Sequence, residues 1–265
     1  MTERHHAKKR LGQHFLKDEA VIEQIVRCIA PTPSQSIVEI GPGLGALTKR
    51  VLPLVNQLDV IEFDRDVIPL LKKACDNDAR LIVHQADVLT FDLSSLVTGD
   101  NKLRVIGNLP YNISTPIFFH LVSFIDHIQD MHFMLQKEVV DRMCASVGTK
   151  KYGRLTVMLQ YYCEAEFLFD VPPTAFAPPP KVDSAVLRLV PHKKKPCEAE
   201  DVKQFSIVVR TAFNQRRKTL RNTLKKLMSE ETLKQLSINP QQRPEVTTLQ
   251  EFVRISNALT SGEAS

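Results

Sequence analysis

The turn at residues 107–111 carries groups that suit the recognition of an amine on a flat ring. Asn108 offers a side-chain amide oxygen as a hydrogen-bond acceptor. Leu109 or Pro110 offers a backbone carbonyl, held outward by the rigid proline ring, and Tyr111 offers a flat face for stacking. We therefore predict that these four residues are catalytic. The alternative is an ordinary Asn/Pro turn with a packed tyrosine, because short motifs often occur by chance.

The tetrad Asn-Leu-Pro-Tyr resembles the Asn/Asp-Pro-Pro-aromatic signature of amino-methyltransferases, which methylate an exocyclic amine on a nucleobase. An adenine amine is a poor nucleophile because its lone pair is delocalised into the ring. It is not protonated at neutral pH, so no base has to remove a proton beforehand. Two acceptors that grip both amine hydrogens would point the lone pair at a methyl donor. The resemblance implies catalysis by orientation and fixed dipoles rather than by proton transfer.

A strand, a glycine turn and a helix precede this motif. Residues 36–40 are apolar enough for a buried strand, glycines follow at 41, 43 and 45, and residues 46–54 have a helical pattern. This order is typical of the first unit of a doubly wound sheet, in which the turn passes under a ligand at the helix N-terminus. The next strand, 58–61, ends at Glu62, where a carboxylate can accept both hydroxyls of a ribose.

Such a unit fits NAD as well as S-adenosylmethionine, and three details favour the latter. The glycines are spaced G-x-G-x-G, Glu39 stands two residues before the first glycine, and Asp87 follows a third strand at 81–84. Asp87 is placed to meet the adenine amine of the cofactor. Any one of these carboxylates could be a solvated loop residue, but three at successive strand ends favour a cofactor site.

Further strands are predicted at 103–106, 131–135, 167–169 and 185–190, which gives a sheet of about seven strands. A loop at 171–184 contains five prolines, which stiffen it. We predict that Phe176 on this loop forms the second wall of a base pocket, opposite Tyr111. The alternative for Phe176 is a loop anchor buried in the core.

The C-terminal part changes to helical patterns only, at 202–213, 215–228, 231–236 and 249–259. We predict an α/β methyltransferase domain at 1–191, including a basic N-terminal arm, a basic linker at 192–200 and a small helical domain at 201–265. Residues 192–222 hold nine Lys/Arg and three acids, whereas the whole chain has a net charge of only +5. We expect a helix here to present phosphate-binding cations, namely Arg216, Arg217, Lys218 and Arg221. A merely solvated helix face is the alternative.

The five cysteines are widely spaced and form no CxxC pair, so we expect reduced thiols rather than a disulfide framework or a zinc site. No apolar run approaches the length of a membrane span, and the N-terminus lacks a signal-peptide core. We expect a cytoplasmic, monomeric protein without a membrane partner.

Seven segments, taken in order, resemble the KsgA-type ribosomal RNA adenine dimethyltransferases: RLGQHFL, EIGPGLGALT, VIEFDRD, GNLPYNISTP, MLQKEV, FAPPPKVDSAV and FNQRRKTLRN. The resemblance implies a Rossmann-like, S-adenosylmethionine-dependent domain, a helical, rRNA-binding C-terminal domain at 201–265 and no metal. It implies dimethylation of two adjacent adenines in a hairpin near the 3′ end of small-subunit (16S) rRNA, late in subunit assembly. Carried over residue by residue, it implies cofactor contacts at His14, Leu16, Gly41, Glu62, Asp87 and Asn108. Position 14 departs from the family pattern, since many relatives have asparagine there.

Three rival functions stay open. A DNA adenine methyltransferase would share the motif at 108–111, although no base-reading module is evident. A relative of the same family dimethylates large-subunit rRNA and confers antibiotic resistance, but the segments FAPPPKVDSAV and FNQRRKTLRN favour the small-subunit branch. An RNA-binding assembly factor would need binding rather than methylation, and an intact cofactor pocket argues against a purely binding role.

Overall fold

A computed structural model of the chain describes residues 14–110 and 113–262. The strands are β1 (Phe15–Leu16), β2 (Ser36–Ile40), β3 (Leu58–Glu62), β4 (Leu81–Gln85), β5 (Leu103–Asn108), β6 (Ile128–Gln136), β7 (Cys163–Val171), β8 (Phe176–Ala177) and β9 (Ser184–Pro191). The helices are α1 (Glu19–Ile29), α2 (Thr48–Val51), α3 (Ile68–Ala74), α4 (Ser114–Val122), α5 (Lys137–Met143), α6 (Arg154–Tyr162), α7 (Val202–Phe213), α8 (Leu220–Leu224), α9 (Glu230–Gln235) and α10 (Leu249–Thr260).

Seven strands form one mixed sheet in the order β4-β3-β2-β5-β6-β9-β7. The pairs from β4 to β6 are parallel, and β9 runs antiparallel to β6. The central strands are buried along nearly their whole length, as parallel strands covered by helices on both faces must be. The predicted seven-stranded, Rossmann-like sheet is therefore confirmed.

Helix α1 begins at the residue that can best cap it. Asp18 accepts hydrogen bonds from the backbone N–H groups of Ala20 and Val21, which have no partner inside the helix. Its apolar face then buries Ile22, Ile25 and Ile29 in the core of the sheet unit. The helix predicted after the glycine turn is shorter than expected. The pattern at 46–54 becomes α2 followed by a 3-10 turn at Leu52–Leu54, where Pro53 lacks the N–H that an α-helix needs.

Two short strands that the sequence does not predict form a second sheet. β1 and β8 pair antiparallel, with Phe15 opposite Ala177 and Leu16 opposite Phe176. The backbone N–H of Lys17 extends this contact by donating to the carbonyl of Ala175, at 2.9 Å. The segment before α1 is thereby fixed to the proline-rich loop.

The contacts divide the chain into two compact units. One contains Met1–Val140 and Glu166–Pro191, and the other contains Asp141–Ala165 and His192–Ser265. The second unit includes the helices that follow the linker predicted at 192–200, and it also includes α6. Aromatic packing explains this, because the Tyr161 ring of α6 lies 4.9 Å from the Phe205 ring of α7, centroid to centroid.

The helix predicted at 215–228 forms only over α8, at residues 220–224. Helix α7 ends at Phe213, residues 214–219 form turns, and α8 begins at Leu220. The N–H groups of Leu220 and Arg221 donate to the carbonyls of Gln242 and Pro240, at 2.8 and 3.0 Å, instead of to a preceding helical turn. These tertiary hydrogen bonds interrupt the helix that the local sequence pattern predicts. Among the described helices, none has the length and hydrophobicity that crossing a membrane would require.

Candidate functional site

A cavity of about 640 Å³ opens at the carboxyl ends of the parallel strands. It lies where the strand order reverses, between β2 and β5, which is where open α/β sheets bind ligands. The volume lies within the ~300–1,000 Å³ range of small-molecule sites. Residues at or just after the carboxyl ends of four strands line it: Gly41 after β2, Glu62 at the end of β3, Asp87 after β4 and Asn108 at the end of β5. The cofactor residues predicted from separate stretches of sequence therefore meet in one cavity, together with His14 and Leu16.

Two glycines let the backbone pass close to its surroundings. Gly43 has φ +53°, and a Cβ atom there would lie 3.3 Å from the Phe15 ring. Gly107 in β5 has less room, since a Cβ atom would lie 2.6 Å from the carbonyl oxygen of Ile40. No side chain fits at Gly107 without moving the backbone at the cavity floor.

Glu62 is anchored by the turns that surround it. Its two carboxylate oxygens accept hydrogen bonds from the N–H groups of Gly43 at 3.2 Å and Asp64 at 2.8 Å. Burial raises the pKa of Glu62, and these backbone donors counteract part of that effect. The backbone N–H of Phe63 is a third donor to this carboxylate. A carboxylate has about four acceptor positions, so these donors leave acceptor capacity for a hydroxyl group.

Glu39 lies deeper, at the end of β2, and is only 2% exposed. Its carboxylate accepts a hydrogen bond from the Thr48 hydroxyl at 2.6 Å, and it lines the same cavity. Burial raises the pKa of Glu39 to about 7; the Thr48 hydrogen bond lowers it, and the charge of Glu62 raises it further. The sequence marks Glu39 as a cofactor signal, but it does not indicate this burial.

The outer end of the cavity contains an aromatic residue that the sequence analysis missed. Asp87 is exposed there, and its Oδ1 atom accepts from the N–H of Leu89 at 2.9 Å. Phe63 lines the same cavity with 61% of its surface exposed, which is unusual for a phenylalanine. Its position directly after Glu62 is the signal that could have identified it. A carboxylate and an aromatic face together can recognise a purine ring.

Asn108 lies beside the β1 segment. Its Nδ2 atom donates to the carbonyl oxygen of His14 at 3.3 Å, and the Nδ1 atom of His14 lies 2.8 Å from the carbonyl oxygen of Pro178. A carbonyl oxygen can only accept, so the amide nitrogen of Asn108 must face His14. The Oδ1 atom therefore stays available as an acceptor.

The backbone after Asn108 distinguishes the two predicted carbonyls. The carbonyl of Pro110 accepts from the N–H of Ile113 at 3.2 Å, at the start of α4. Leu109 donates its N–H to the carbonyl of Met134 at 3.1 Å, and no donor in the described part of the chain reaches its own carbonyl. Leu109 is the better placed acceptor. Tyr111, predicted to stack a base, lies outside the described residues.

The structure places Phe176 differently from the prediction. Its side chain is 1% exposed and belongs to the hydrophobic core, with Leu16 as its partner across the β1–β8 pair. The neighbouring Ala177, not Phe176, lines the cavity. Phe176 is thus the buried loop anchor that the sequence left as the alternative, because strand alternation turns successive side chains to opposite faces.

The four predicted phosphate-binding cations lie in the second unit, in and just after the turn that joins α7 to α8. Arg216 donates through Nη2 to the carbonyls of Lys150 at 2.8 Å and Tyr152 at 2.6 Å, so it fixes the turn. Arg221 lies 3.3 Å from the carboxylate of Glu230. Arg217 and Lys218 are exposed, and neither forms an ion pair with any residue that the structure describes. The turn thus presents two cations, whereas the other two have protein partners.

The sequence analysis also predicts a protein without a bound metal. Within residues 14–110 and 113–262, no group of three or more His, Cys, Asp or Glu side chains converges as metal ligands do. The cavity instead offers carboxylates, backbone groups and an aromatic face.

Comparison with known proteins relates this geometry to a family. The profile of the family described as ribosomal RNA adenine dimethylase matches residues 4–261. A ribosomal RNA small subunit methyltransferase A from Vibrio parahaemolyticus is 55% identical over 255 residues, which cover 96% of this chain and 95% of the relative.

Two solved structures share the fold over nearly the whole chain. A dimethyladenosine transferase from Plasmodium falciparum superposes with a TM-score of 0.78 at 26% identity, covering 91% of this chain and 96% of that one. The 23S rRNA methyltransferase ErmE superposes with a TM-score of 0.72 at 23% identity, covering 93% and 99%. The second likeness concerns the fold alone.

Proposed function

We propose that this chain, which belongs to the ribosomal RNA adenine dimethylase family, dimethylates the exocyclic amines of two adjacent adenines near the 3′ end of small-subunit rRNA. The relative from Vibrio parahaemolyticus, named for the small subunit, supports this choice of substrate. Its natural partner would be the rRNA of an immature small ribosomal subunit in the cytoplasm, bound by a monomer.

The cavity fits S-adenosylmethionine as the methyl donor. Glu62 keeps acceptor capacity for a ribose hydroxyl, Asp87 and Phe63 suit the adenine, and Gly41 and Gly43 keep side chains away from the turn. His14, Leu16 and Asn108 would close the side of the cavity next to β1. When bound, the donor supplies a sulfonium-activated methyl group, which needs no metal to make it a good electrophile.

This chain's own groups then orient the acceptor amine. The Oδ1 atom of Asn108 and the carbonyl of Leu109 would each accept one amine hydrogen of a flipped-out adenine, and Tyr111 would stack on its ring. Because both acceptors are fixed before the substrate arrives, little reorganisation accompanies the reaction. A second methylation of the same amine needs only one acceptor, since only one N–H is left.

One observation carries the proposal: Asn108 and the predicted cofactor residues line a single cavity. A methyl acceptor held at Asn108 would therefore meet a donor held by Glu62 and Asp87. An RNA-binding assembly factor without catalysis would have no need for that juxtaposition.

The test is transfer of labelled methyl groups from S-adenosylmethionine to undermethylated small ribosomal subunits, with the product nucleosides resolved. We expect dimethyladenosine at adjacent positions near the 3′ end. Large-subunit rRNA and adenine-containing duplex DNA serve as competing substrates in matched reactions. Transfer only to large-subunit rRNA or only to DNA would overturn the proposed substrate. Tight subunit binding without any transfer would support an assembly factor instead.

A further inference from the structure

Glu39 is a buried carboxyl group without a cationic partner. Its side chain is 2% exposed, and its carboxylate accepts a hydrogen bond from the neutral hydroxyl of Thr48. Among the described residues it has no ion pair with Lys, Arg or His. A carboxylate buried without a counter-charge is costly, so the group favours its protonated form unless a positive charge enters its surroundings.

Glu39 lines the cavity, so a ligand bound there could supply the positive counter-charge. The titratable groups that line the cavity with it are His14, Lys17, Lys49, Glu62, Asp64 and Asp87. Directly after α3, the pKa of the Cys75 thiol is raised by burial first and then by the charge of Glu39. With Glu39 counted, four acids and three basic groups line the cavity, and Glu62 itself disfavours a negative charge on Glu39.

We propose that Glu39 is the proton-linked counter-charge for the methyl donor: ionised when the cavity holds the positively charged sulfonium compound, and protonated when it holds the uncharged thioether product. This inference rests on the proposed function. The two ligands differ by one methyl group and one positive charge, so a carboxyl that ionises only for the donor favours donor over product. Binding of the sulfonium compound therefore releases one proton from Glu39 to solvent.

The pKa of about 7 places this exchange within the ordinary working range of pH. If the proton is fully released in the complex, lowering the pH from 8 to 6 should weaken S-adenosylmethionine binding about tenfold. Binding of S-adenosylhomocysteine should lack this contribution. Donor and product would therefore compete more evenly in acid.

The experiment is isothermal titration calorimetry of S-adenosylmethionine and S-adenosylhomocysteine, each in two buffers of different ionisation enthalpy. It uses the wild-type chain and Glu39→Gln, and it compares the two proteins for one ligand at a time. That comparison cancels the titration of the ligand's own amino group. We expect the wild type to release up to one more proton than the variant on binding S-adenosylmethionine, and to show no such excess with S-adenosylhomocysteine.

Thr48→Val supplies an independent test if Glu39→Gln folds poorly. It removes the hydroxyl that stabilises the ionised carboxylate, so the pH midpoint of S-adenosylmethionine binding should move upward. Equal proton release for both ligands, or release unchanged in Glu39→Gln, would overturn the inference while leaving the proposed function intact. Failure of the wild type to bind either ligand would instead refute the cofactor assignment and this inference with it.

Discussion

Asn108 makes a structural contact and offers a chemical one through different atoms of the same amide. The nitrogen holds the backbone of His14, and the oxygen is left for a substrate amine. Asn108→Ala should therefore lower the methylation rate by roughly 10²–10³-fold, the usual effect of removing one fixed polar group from a transition state. Binding of small-subunit rRNA should change little. Single-turnover methyl transfer and filter binding measure the two effects.

Asn108→Asp is the matched control, because it keeps acceptor oxygens but cannot donate to the carbonyl of His14. It should retain more activity than Asn108→Ala. If Asn108→Ala methylated rRNA at the wild-type rate, the acceptor role would be wrong.

Phe176 allows a prediction that separates packing from base recognition. Because its ring is buried in the core, Phe176→Ala should lower the free energy of unfolding by roughly 3–5 kcal/mol. Phe176→Leu keeps most of the apolar volume and should lose less stability and retain activity. A stable Phe176→Ala protein that fails only in methylation would instead restore the stacking role. Urea denaturation and methyl-transfer assays of both variants distinguish these results.

The close contact between strands β2 and β5 forms the floor of the cavity. Gly107→Ala would place a Cβ atom 2.6 Å from the Ile40 carbonyl, in backbone that cannot yield as a flexible side chain would. We expect a loss of about 1–3 kcal/mol in unfolding free energy and weaker S-adenosylmethionine binding. Gly153→Ala is the control, since a Cβ atom there has ordinary contacts, 3.9 Å from the Lys151 carbonyl. Alanine caps α6 less well than Gly153 does, so Gly153→Ala should lose some stability in thermal unfolding but bind S-adenosylmethionine normally in calorimetry. Equal loss of binding in the two variants would contradict the packing argument.

The strands that the sequence predicts well are recognisable from their local sequence pattern alone. β2 and β3 are short apolar runs followed by a glycine turn or an acid, and the carboxyl ends of parallel strands must meet at one edge of the sheet. The convergence of Glu62 and Asp87 on one cavity follows from that rule. The chemistry of these strand ends could therefore be predicted without the structure.

The elements that it predicts poorly depend on distant contacts. β1 and β8 are two residues each, too short for a period, and only their pairing reveals that Phe176 points into the core. The helical pattern at 215–228 is interrupted because Leu220 donates to Gln242, a residue whose position no local pattern gives. In both cases, tertiary hydrogen bonds override local propensity.

The turn between α7 and α8 changes the prediction for RNA binding. Arg217→Ala/Lys218→Ala should weaken rRNA binding and reduce the slope of log Kd against log salt by about two, because two phosphate contacts would be lost. Arg216→Ala should instead loosen the turn, since its side chain holds the carbonyls of Lys150 and Tyr152. Filter binding over a range of salt concentrations measures the slopes. An unchanged slope in the double variant would leave these cations as a solvated surface.

Two buried groups of the sheet unit give the whole molecule opposing responses to pH. His132 is 3% exposed, and burial lowers its pKa to about 4; the charges of Arg104 and Arg188 lower it further, and that of Asp130 opposes them. A histidine that titrates near 6.5 when unfolded thus stabilises the fold fully above that pH, and this stability is lost as the pH falls toward 4. Glu39 acts in reverse, because its pKa is raised to about 7. Its stabilising contribution is complete below the unfolded value of 4.5 and is lost as the pH rises through 7.

Each group is worth at most about 3 kcal/mol, so between pH 4.5 and 6.5 the two contributions should largely cancel in the wild-type protein. Single variants would uncover them. His132→Leu removes the group that loses stability in acid, so its unfolding temperature should fall less than that of the wild type between pH 6.5 and 4. Glu39→Gln removes the group that loses stability toward neutral pH, so its advantage over the wild type should grow from pH 5 to pH 8. Differential scanning calorimetry across this range measures both trends, and parallel pH profiles for the wild type and either variant would show that the buried group does not control them.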